Sequence, residues 1–188
     1  MKLSLSLVLL TACFGMKDIK SPSEAAMVNS PANSFYSFTM NSIDGEPISF
    51  EKYKGKKVLL VNVASRCGYT PQYEKLQELH KKYGNKVVIM GFPANDFGRQ
   101  EPGNNKEIKE FCQKNYGVDF QMFEKIEVTG DNQHPLYQWL SKKDQNGWND
   151  QAPKWNFCKY LINEKGELLK FYASGVDPMG KEILAEIQ

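Results

Sequence analysis

Residues 58–92 read VLLVNVASRCGYTPQYEKLQELHKKYGNKVVIMGF and decide the fold. The apolar, β-branched runs at 58–64 and 87–92 are typical of strands that are buried on both faces. Between them, 71–83 carries apolar residues at helical spacing and starts with a proline, and Thr70 is placed to be its N-cap. We therefore predict a βαβ unit with two parallel strands.

Further elements lie on both sides of this unit. They are a β-hairpin around Asp44-Gly45 (strands near 35–38 and 47–50), a helix over about 105–116, a shorter helix from Pro135, a second hairpin (155–163 and 167–172) and a last helix after Asp177-Pro178. This order predicts an α/β, thioredoxin-like fold: a central mixed sheet flanked by helices, with an N-terminal β-hairpin.

Length and charge set further bounds. The chain has 188 residues, 41% of them apolar, which suits one globular domain, expected over 35–188. Its 24 Lys and Arg balance 22 Asp and Glu, and basic and acidic residues are interleaved, as in 106–110. Because a phosphate-binding face needs clustered positive charge, we expect no nucleic-acid partner.

The N-terminus has the features of a targeting segment. Residues 1–13 combine Lys2, a short apolar run and an ending at Cys13 that resembles a bacterial lipoprotein box. We expect a signal peptide, lipidation of Cys13, and a flexible tether over 14–34. The protein would then be lipid-anchored in the bacterial cell envelope, in the periplasm or at a membrane surface. The alternative is an ordinary signal peptide that happens to contain a cysteine.

Cys67 is the residue most suited to chemistry. Without Cys13, three cysteines remain, an odd number that argues against a disulfide-stapled scaffold. Cys67 follows a buried strand and precedes a helix, where backbone amides favour an anion and therefore a thiolate. The alternative is a small buried cysteine with no chemical role.

The residues after Cys67 separate the possible thiol chemistries. A dithiol oxidoreductase needs Cys-x-x-Cys, but Thr70 stands where the second cysteine would be. A lone activated thiol suits attack on a peroxide, which yields a sulfenic acid.

Three segments resemble one enzyme family. They are NVASRCGYT at 62–70, GFPANDFGRQEPG at 91–103 and WNFCK at 155–159. In this order they are similar to the motifs of glutathione peroxidases, with Cys67 where some members carry selenocysteine. Since the similarity runs from about Phe35 to the C-terminus, the chain is identified as a member of that family.

The resemblance implies a catalytic tetrad of Cys67, Gln100, Trp155 and Asn156. Amide and indole N–H groups can stabilise a thiolate, and hold the peroxide oxygens, without adding a charge. It also implies a hydroperoxide substrate and no metal or prosthetic cofactor, since a thiol reductant, a thioredoxin-like protein or glutathione, acts as co-substrate. With only two arginines in the chain, a dedicated site for the glutathione carboxylates is not expected.

Cys112 is the candidate resolving thiol, because selenium-free members of the family commonly carry a second cysteine in the corresponding helix. Two observations weigh against it. Cys112 shares an apolar face with Ile108 and Phe111, as a core residue would. It also stands about one position from the usual place, and one residue is about 100° of helix rotation. Cys158 is expected to pack in the core, on the same side of its strand as Asn156.

The short polar stretch 141–153 bears on assembly and substrate. Tetrameric members of the family carry longer elements there, so we expect a monomer with an open site that resembles the phospholipid-hydroperoxide type. Two rival functions remain open: a non-catalytic lipoprotein with this fold, and a thiol–disulfide oxidoreductase. His80 and His134 are expected to be a solvent-exposed residue and a helix cap, respectively.

Overall fold

The computed structural model describes residues 18–23 and 35–187. The strands are β1 (Ile19–Lys20), β2 (Thr39–Asn41), β3 (Pro47–Ser49), β4 (Lys57–Val63), β5 (Val87–Pro93), β6 (Gln121–Met122), β7 (Lys159–Ile162) and β8 (Leu168–Tyr172). The α-helices are α1 (Gln72–Tyr83), α2 (Asn105–Tyr116), α3 (Pro135–Ser141), α4 (Lys143–Asn146) and α5 (Lys181–Ile187), and 3₁₀ turns lie at Phe35–Ser37 and Phe50–Tyr53.

Six strands form one mixed sheet in the order β1-β8-β7-β4-β5-β6. The central strand β4 pairs in parallel with β5 and antiparallel with β7, and β7 pairs antiparallel with β8. Both β4 and β5 are buried almost throughout, which is why their sequences are continuous apolar runs. The predicted βαβ unit, the C-terminal hairpin and the thioredoxin-like arrangement are confirmed, while the edge strand β6 was not predicted.

The core lies on both faces of this sheet. Alternate side chains of β4 enter two separate hydrophobic clusters: Leu60 points to one face, and Leu59 and Val61 to the other. The first cluster is completed by α3 and the aromatic residues of the N-terminal region, the second by α1, α2 and α5. Burying one Leu or Phe side chain stabilises a fold by about 1.5–3 kcal/mol, so these two layers hold the sheet ends, and any site on them, in place.

The predicted N-terminal hairpin is present but shorter than expected. Its strands β2 and β3 pair with Met40 opposite Ile48, and Gly45 takes a φ of +85°, which glycine adopts without strain. The flanking aromatic residues form 3₁₀ turns instead of strand ends. Phe35 and Phe50 from these turns pack with ring centroids 4.8 Å apart, so burial of the rings overrides strand extension.

Part of the expected tether belongs to the sheet. Ile19 pairs with Tyr172, and Lys20 with Phe171, so the prediction of a flexible tether is wrong for these two residues. The edge of β8 offers unpaired backbone groups that this segment satisfies. The predicted signal segment with Cys13 lies outside the described residues, as do 24–34 and 188. Within 18–23 and 35–187, no helix is long and apolar enough to cross a membrane.

Candidate active site

A tight turn carries Cys67 from the end of β4 to the start of α1. The Thr70 hydroxyl closes it: Oγ1 accepts a hydrogen bond from the Cys67 amide at 2.9 Å and donates one to the Ala64 carbonyl at 2.8 Å. The expectation that Thr70 caps α1 is therefore wrong, because its only hydroxyl is used inside the turn. Pro71 takes the N-cap position without a side-chain bond.

The sulfur of Cys67 lies at the surface of the second cluster and is almost enclosed, with 8% of the residue exposed. The Tyr69 amide lies 3.4 Å from Sγ and points a donor at it, as the sequence position before a helix predicts. Neighbouring Arg66 is exposed, so its guanidinium is not part of the buried surroundings of the sulfur.

The loop after β5 brings Gln100 against this turn. Gly98 and Arg99 are consecutive left-handed residues, with φ of +63° and +54°, and they reverse the chain. The left-handed conformation at Arg99 costs roughly 1 kcal/mol, which the surrounding contacts must offset. The Gln100 carbonyl then accepts a hydrogen bond from the Arg66 amide at 3.0 Å, which joins the second motif to the first.

The third motif is held by Asn62 on the central strand. Its side-chain amide donates to the Trp155 carbonyl at 3.0 Å, and its backbone carbonyl accepts from the Phe157 amide. Strand β7 begins only at Lys159, so the predicted strand start at Trp155 is wrong. Residues 154–157 form a turn, in which Phe157 has a φ of +64°.

This turn changes which side chains share a side. Strand alternation does not relate Asn156 to Cys158, contrary to the prediction. Asn156 is fully buried, and its Nδ2 donates to Gln100 Oε1 at 2.9 Å. Cys158 packs in the first cluster with Sγ 3.4 Å from the Ser174 hydroxyl, which confirms the expected packing role.

The four residues of the predicted tetrad therefore lie on three turns that hydrogen bonds connect. All three turns adjoin the carboxyl ends of β4 and β5, where open α/β sheets place their sites. Trp155 forms the outer edge: it is 39% exposed, and its ring lies 5.9 Å from that of Phe97. The arrangement places one thiol, which faces the Tyr69 amide, on a turn that hydrogen bonds join to the segments that carry Gln100 and Asn156.

The family model described as glutathione peroxidase matches residues 35–141. The chain belongs to the glutathione peroxidase family. It is 43% identical over 163 residues to hydroperoxy fatty acid reductase gpx1 of Synechocystis sp., which covers 83% of this chain and 95% of that protein. It is 50% identical over 142 residues to the glutathione peroxidase-like peroxiredoxin gpx1 of Schizosaccharomyces pombe, covering 74% and 89%.

A solved structure agrees with this assignment. The crystal structure of T. cruzi GPX1 superposes with a TM-score of 0.62 at 32% identity, and the match covers 82% of this chain and 93% of that one. This member of the glutathione peroxidase family is thus an oxidoreductase, a thiol peroxidase with a thioredoxin-like fold. The two rival functions weighed from the sequence are not favoured.

The second thiol of interest in this glutathione peroxidase family member, Cys112, is a core residue. It is 1% exposed on α2, in the same hydrophobic cluster as Cys67, and burial raises its pKa to about 11. The helix around it is well terminated, with a capping box between Asn104 and Glu107 and a left-handed Gly117 at its end. The apolar face expected for Cys112 is confirmed, and all three described cysteines are free.

Two buried charged residues were missed by the sequence analysis. Glu101 follows Gln100, and burial raises the pKa of its carboxyl to about 7 although Ser65, Lys125 and Arg66 lower it. Its Oε2 has no hydrogen-bond partner, and it lines a cavity of about 270 Å³ beside the first turns of α2. Lys159 is fully buried. Only its place inside the third motif could have drawn attention to Lys159.

Neither histidine belongs to the site. His134 caps α3, since its Nδ1 accepts from the Leu136 amide at 3.2 Å, as predicted. His80 lies half-exposed on α1 with Nε2 3.4 Å from Asp119. Among residues 18–23 and 35–187, no three His, Cys, Asp or Glu side chains cluster so as to hold a metal.

Proposed function

We propose that Cys67 is the thiol that attacks the peroxide, and that Gln100, Trp155 and Asn156 supply the donors around it. The observation that carries this proposal is the hydrogen bond between Asn156 and Gln100, which closes the third motif onto the second beside the Cys67 turn. Together with the Arg66–Gln100 backbone bond, it joins the second and third motifs to the segment that carries Cys67, which supports the proposal.

The donors have distinct parts in this proposal. Asn156 Nδ2 donates to the side-chain oxygen of Gln100. The side-chain nitrogen of Gln100 is therefore oriented to donate to sulfur or to a peroxide oxygen. The Tyr69 amide already points at sulfur, and the indole N–H of Trp155 adds a donor at the entrance. Such fixed dipoles stabilise the negative charge as it moves from sulfur to the leaving oxygen.

The first step converts Cys67–S⁻, ROOH and one proton into Cys67–SOH and ROH. Sulfur forms a bond to the terminal oxygen, the O–O bond breaks, and the proton goes to the leaving alkoxide, so sulfur is oxidised and the peroxide reduced. In the second step we assign Cys112 as resolving thiol: its attack on Cys67–SOH forms a disulfide and releases water. Cys112 is buried inside a capped helix, so we infer that α2 opens locally to bring the two Cα atoms within the roughly 7 Å that a disulfide allows.

We infer that a thioredoxin-like protein, rather than glutathione, regenerates the enzyme. Both arginines of the chain, Arg66 and Arg99, are exposed on separate loops, which leaves no enclosed pair for the two carboxylates of glutathione. The relative from Schizosaccharomyces pombe is named a glutathione peroxidase-like peroxiredoxin, which is in line with this choice.

One assay tests these assignments: peroxide-dependent oxidation of reduced thioredoxin by the wild type, Cys67→Ser and Cys112→Ser. We expect no activity in Cys67→Ser. In Cys112→Ser we expect an intact first turnover that leaves a trappable sulfenic acid, followed by thioredoxin oxidation about tenfold slower than in the wild type. Full thioredoxin turnover in Cys112→Ser would remove the resolving role and leave the peroxidatic role intact. Activity retained by Cys67→Ser would overturn the whole proposal.

We further propose that lipid hydroperoxides are preferred substrates. Tyr69 and Trp155 are the large hydrophobic residues most exposed within the described part of the chain. Tyr69 follows Cys67 by two residues, and Trp155 precedes Asn156, which bonds to Gln100 next to the Cys67 turn. An apolar rim at an open site suits an acyl chain, and one relative is named a hydroperoxy fatty acid reductase. Reduction of phosphatidylcholine hydroperoxide should slow in Tyr69→Ser while hydrogen peroxide reduction is retained. Equal loss for both substrates, or no action on the lipid, would contradict this preference.

Lipidation at Cys13 would place this rim next to its substrates, on a membrane of the bacterial envelope. We propose a lipid-anchored monomer, supported by the sequence of residues 1–13 and by the short segment 141–153. Wild type should partition with membranes and Cys13→Ser should be soluble, and the Cys13→Ser protein should elute at the size of one chain. Wild-type protein in the soluble fraction would contradict the lipid anchor. Elution of Cys13→Ser at the size of more than one chain would contradict the monomer.

A further inference from the structure

Lys159 is a fully buried lysine with three uncharged oxygens as partners. Its Nζ lies 2.6 Å from Gln72 Oε1, 2.6 Å from the Val176 carbonyl and 3.2 Å from the Ser174 carbonyl, with 0% of the residue exposed. Lysine is almost never fully buried without an ionic partner, because removal of its charge from water costs several kcal/mol. A role in holding these three oxygens accounts for its place.

The three oxygens join separate parts of the fold. Gln72 is the first residue of α1, Lys159 is the first residue of β7, and 174–176 is the loop after β8. Gln72 also donates from Nε2 to the Ser174 carbonyl at 2.7 Å. Lys159, Gln72 and the 174–176 loop therefore form a closed set of hydrogen bonds, here called the lysine clamp.

The lysine clamp is linked to the Cys67 turn through the backbone. The Gln72 amide donates to the Tyr69 carbonyl at 2.9 Å, and the Thr70 amide to the Cys67 carbonyl at 3.0 Å. On the other side, a Cβ atom on Gly175 would lie 3.8 Å from the Tyr69 hydroxyl, so the loop of the clamp also meets the Tyr69 side chain. A displacement of Gln72 would thus be passed to the turn that carries sulfur.

The clamp is complete only with a protonated amine. An ammonium group has three N–H donors for the three acceptors, whereas a neutral amine has two, so one of the three bonds of Lys159 is lost. Burial lowers the pKa of Lys159 to about 7, and the nearby titratable groups Cys158 and Asp177 act in the opposite direction. Cys158 belongs to the same segment, and Asp177 follows the clamp loop.

We propose that Lys159 is a positioning residue for Cys67. Its ammonium group fixes the first turn of α1 against the 174–176 loop, and thereby orients the Tyr69 amide that faces the sulfur. The proposal rests on the assignment of Cys67 as the peroxidatic thiol. It adds that a residue of the third motif acts on this thiol from beneath the helix, without touching the peroxide.

The test is the single-turnover rate of Cys67 oxidation by hydrogen peroxide, measured from about pH 5 to 9 in Lys159→Met. At the acidic end of this range we expect the rate to fall by about tenfold, which is the effect of losing one hydrogen bond to a charged group. We also expect the pH at which the rate is half-maximal to move upward. Lys170→Met is the matched control, because Lys170 lies on the neighbouring strand and pairs with Glu186. It should keep the wild-type rate and midpoint.

A second variant separates positioning from folding. Gln72→Leu should lower the rate of Cys67 oxidation and shift the pH at half-maximal rate in the same direction as Lys159→Met. Because both substitutions break the same lysine clamp, the double variant should be no slower than Lys159→Met alone. A rate that falls equally at all pH values, or an unchanged midpoint in Gln72→Leu, would overturn the positioning role. If Lys159→Met does not fold, Gln72→Leu decides. If hydrogen peroxide did not oxidise Cys67 in the wild-type protein, that result would instead contradict the proposed function.

Discussion

Cys67 and Cys112 belong to one hydrophobic cluster, yet the fold treats them differently. Cys67 lies at the edge of the cluster, where the Tyr69 amide points at its sulfur and the Tyr69 residue is exposed. Cys112 lies inside a capped helix, where burial raises its pKa to about 11. Both residues are nearly inaccessible, so exposure does not separate them.

The difference teaches that the place of a buried sulfur in the fold, and not its exposed fraction, sets its surroundings. Cys67 faces the fixed N–H group of Tyr69 in a turn before a helix. Cys112 has the Tyr73 hydroxyl as its hydrogen-bond partner inside a helix, and burial outweighs that bond and raises its pKa. The polar groups near the two sulfurs also differ. Neutral amides of Gln100 and Asn156 belong to the Cys67 side, while the carboxyl of Glu101 lies on the Cys112 side and acts to raise its pKa.

The largest expected effect tests the division of roles between the thiols. Cys67→Ser should lower peroxide reduction by at least about a thousandfold, because removal of a nucleophile removes the covalent route. Stopped-flow kinetics with hydrogen peroxide measures it. Cys158→Ala, which removes a packed thiol outside the site, is the control and should keep most of the activity. Similar losses of peroxide reduction in Cys67→Ser and Cys158→Ala would show that Cys67 has no special role.

Glu101 should make the Cys112 side sensitive to pH. Its carboxyl has a pKa of about 7 in the folded protein and 4.5 as reference, so the unfolded chain ionises first, and stability falls as the pH rises from about 4.5 to 7. At 1.36 kcal/mol per unit this is about 3 kcal/mol, which Glu101→Gln should abolish.

Urea denaturation at both ends of this range gives the answer. The exposed Glu110 on α2 provides the control, since Glu110→Gln should keep the wild-type dependence. A parallel pH dependence in wild type and Glu101→Gln would show that the buried carboxyl is not the responsible group.

The neutral donors on the Cys67 side form the next test. Asn156→Ala removes the amide that orients Gln100, and the rate of Cys67 oxidation should fall by about a hundredfold, as when one donor to a developing charge is lost. Asn149→Ala removes another buried asparagine, whose side chain donates to the Leu140 carbonyl and not to Gln100, and should leave the rate of the folded enzyme unchanged. A loss below twofold in Asn156→Ala would contradict the role of these donors.

The smallest effect concerns Cys112 itself. Cys112→Ser should leave the first turnover intact and slow steady-state thioredoxin oxidation by about tenfold, equivalent to about 1.4 kcal/mol of barrier. In the native wild type, iodoacetamide at neutral pH should label Cys67 before Cys112, because the high pKa of Cys112 keeps its sulfur protonated. Labelling of Cys112 first would reverse the comparison.

Local patterns predicted the elements well where one force dominated. The apolar side chains of β4, β5, α1 and α2 can pack in one place only, the core. The predicted βαβ unit and its order were therefore correct. Predictions failed where a side chain had two possible partners. Thr70 could cap α1 or close the Cys67 turn, and Asn62 diverted residues 154–157 from strand to turn.

The sequence alone determined the family, the βαβ unit and the position of Cys67 between a buried strand and a helix, because short-range patterns and residue identities carry that information. Only the tertiary structure decided that Asn156 reaches Gln100, that Ile19 and Lys20 join the sheet, and that Lys159 lies under α1 among three oxygens. These contacts join residues far apart in the chain. Their geometry depends on how two faces of one sheet are packed, which no local pattern encodes.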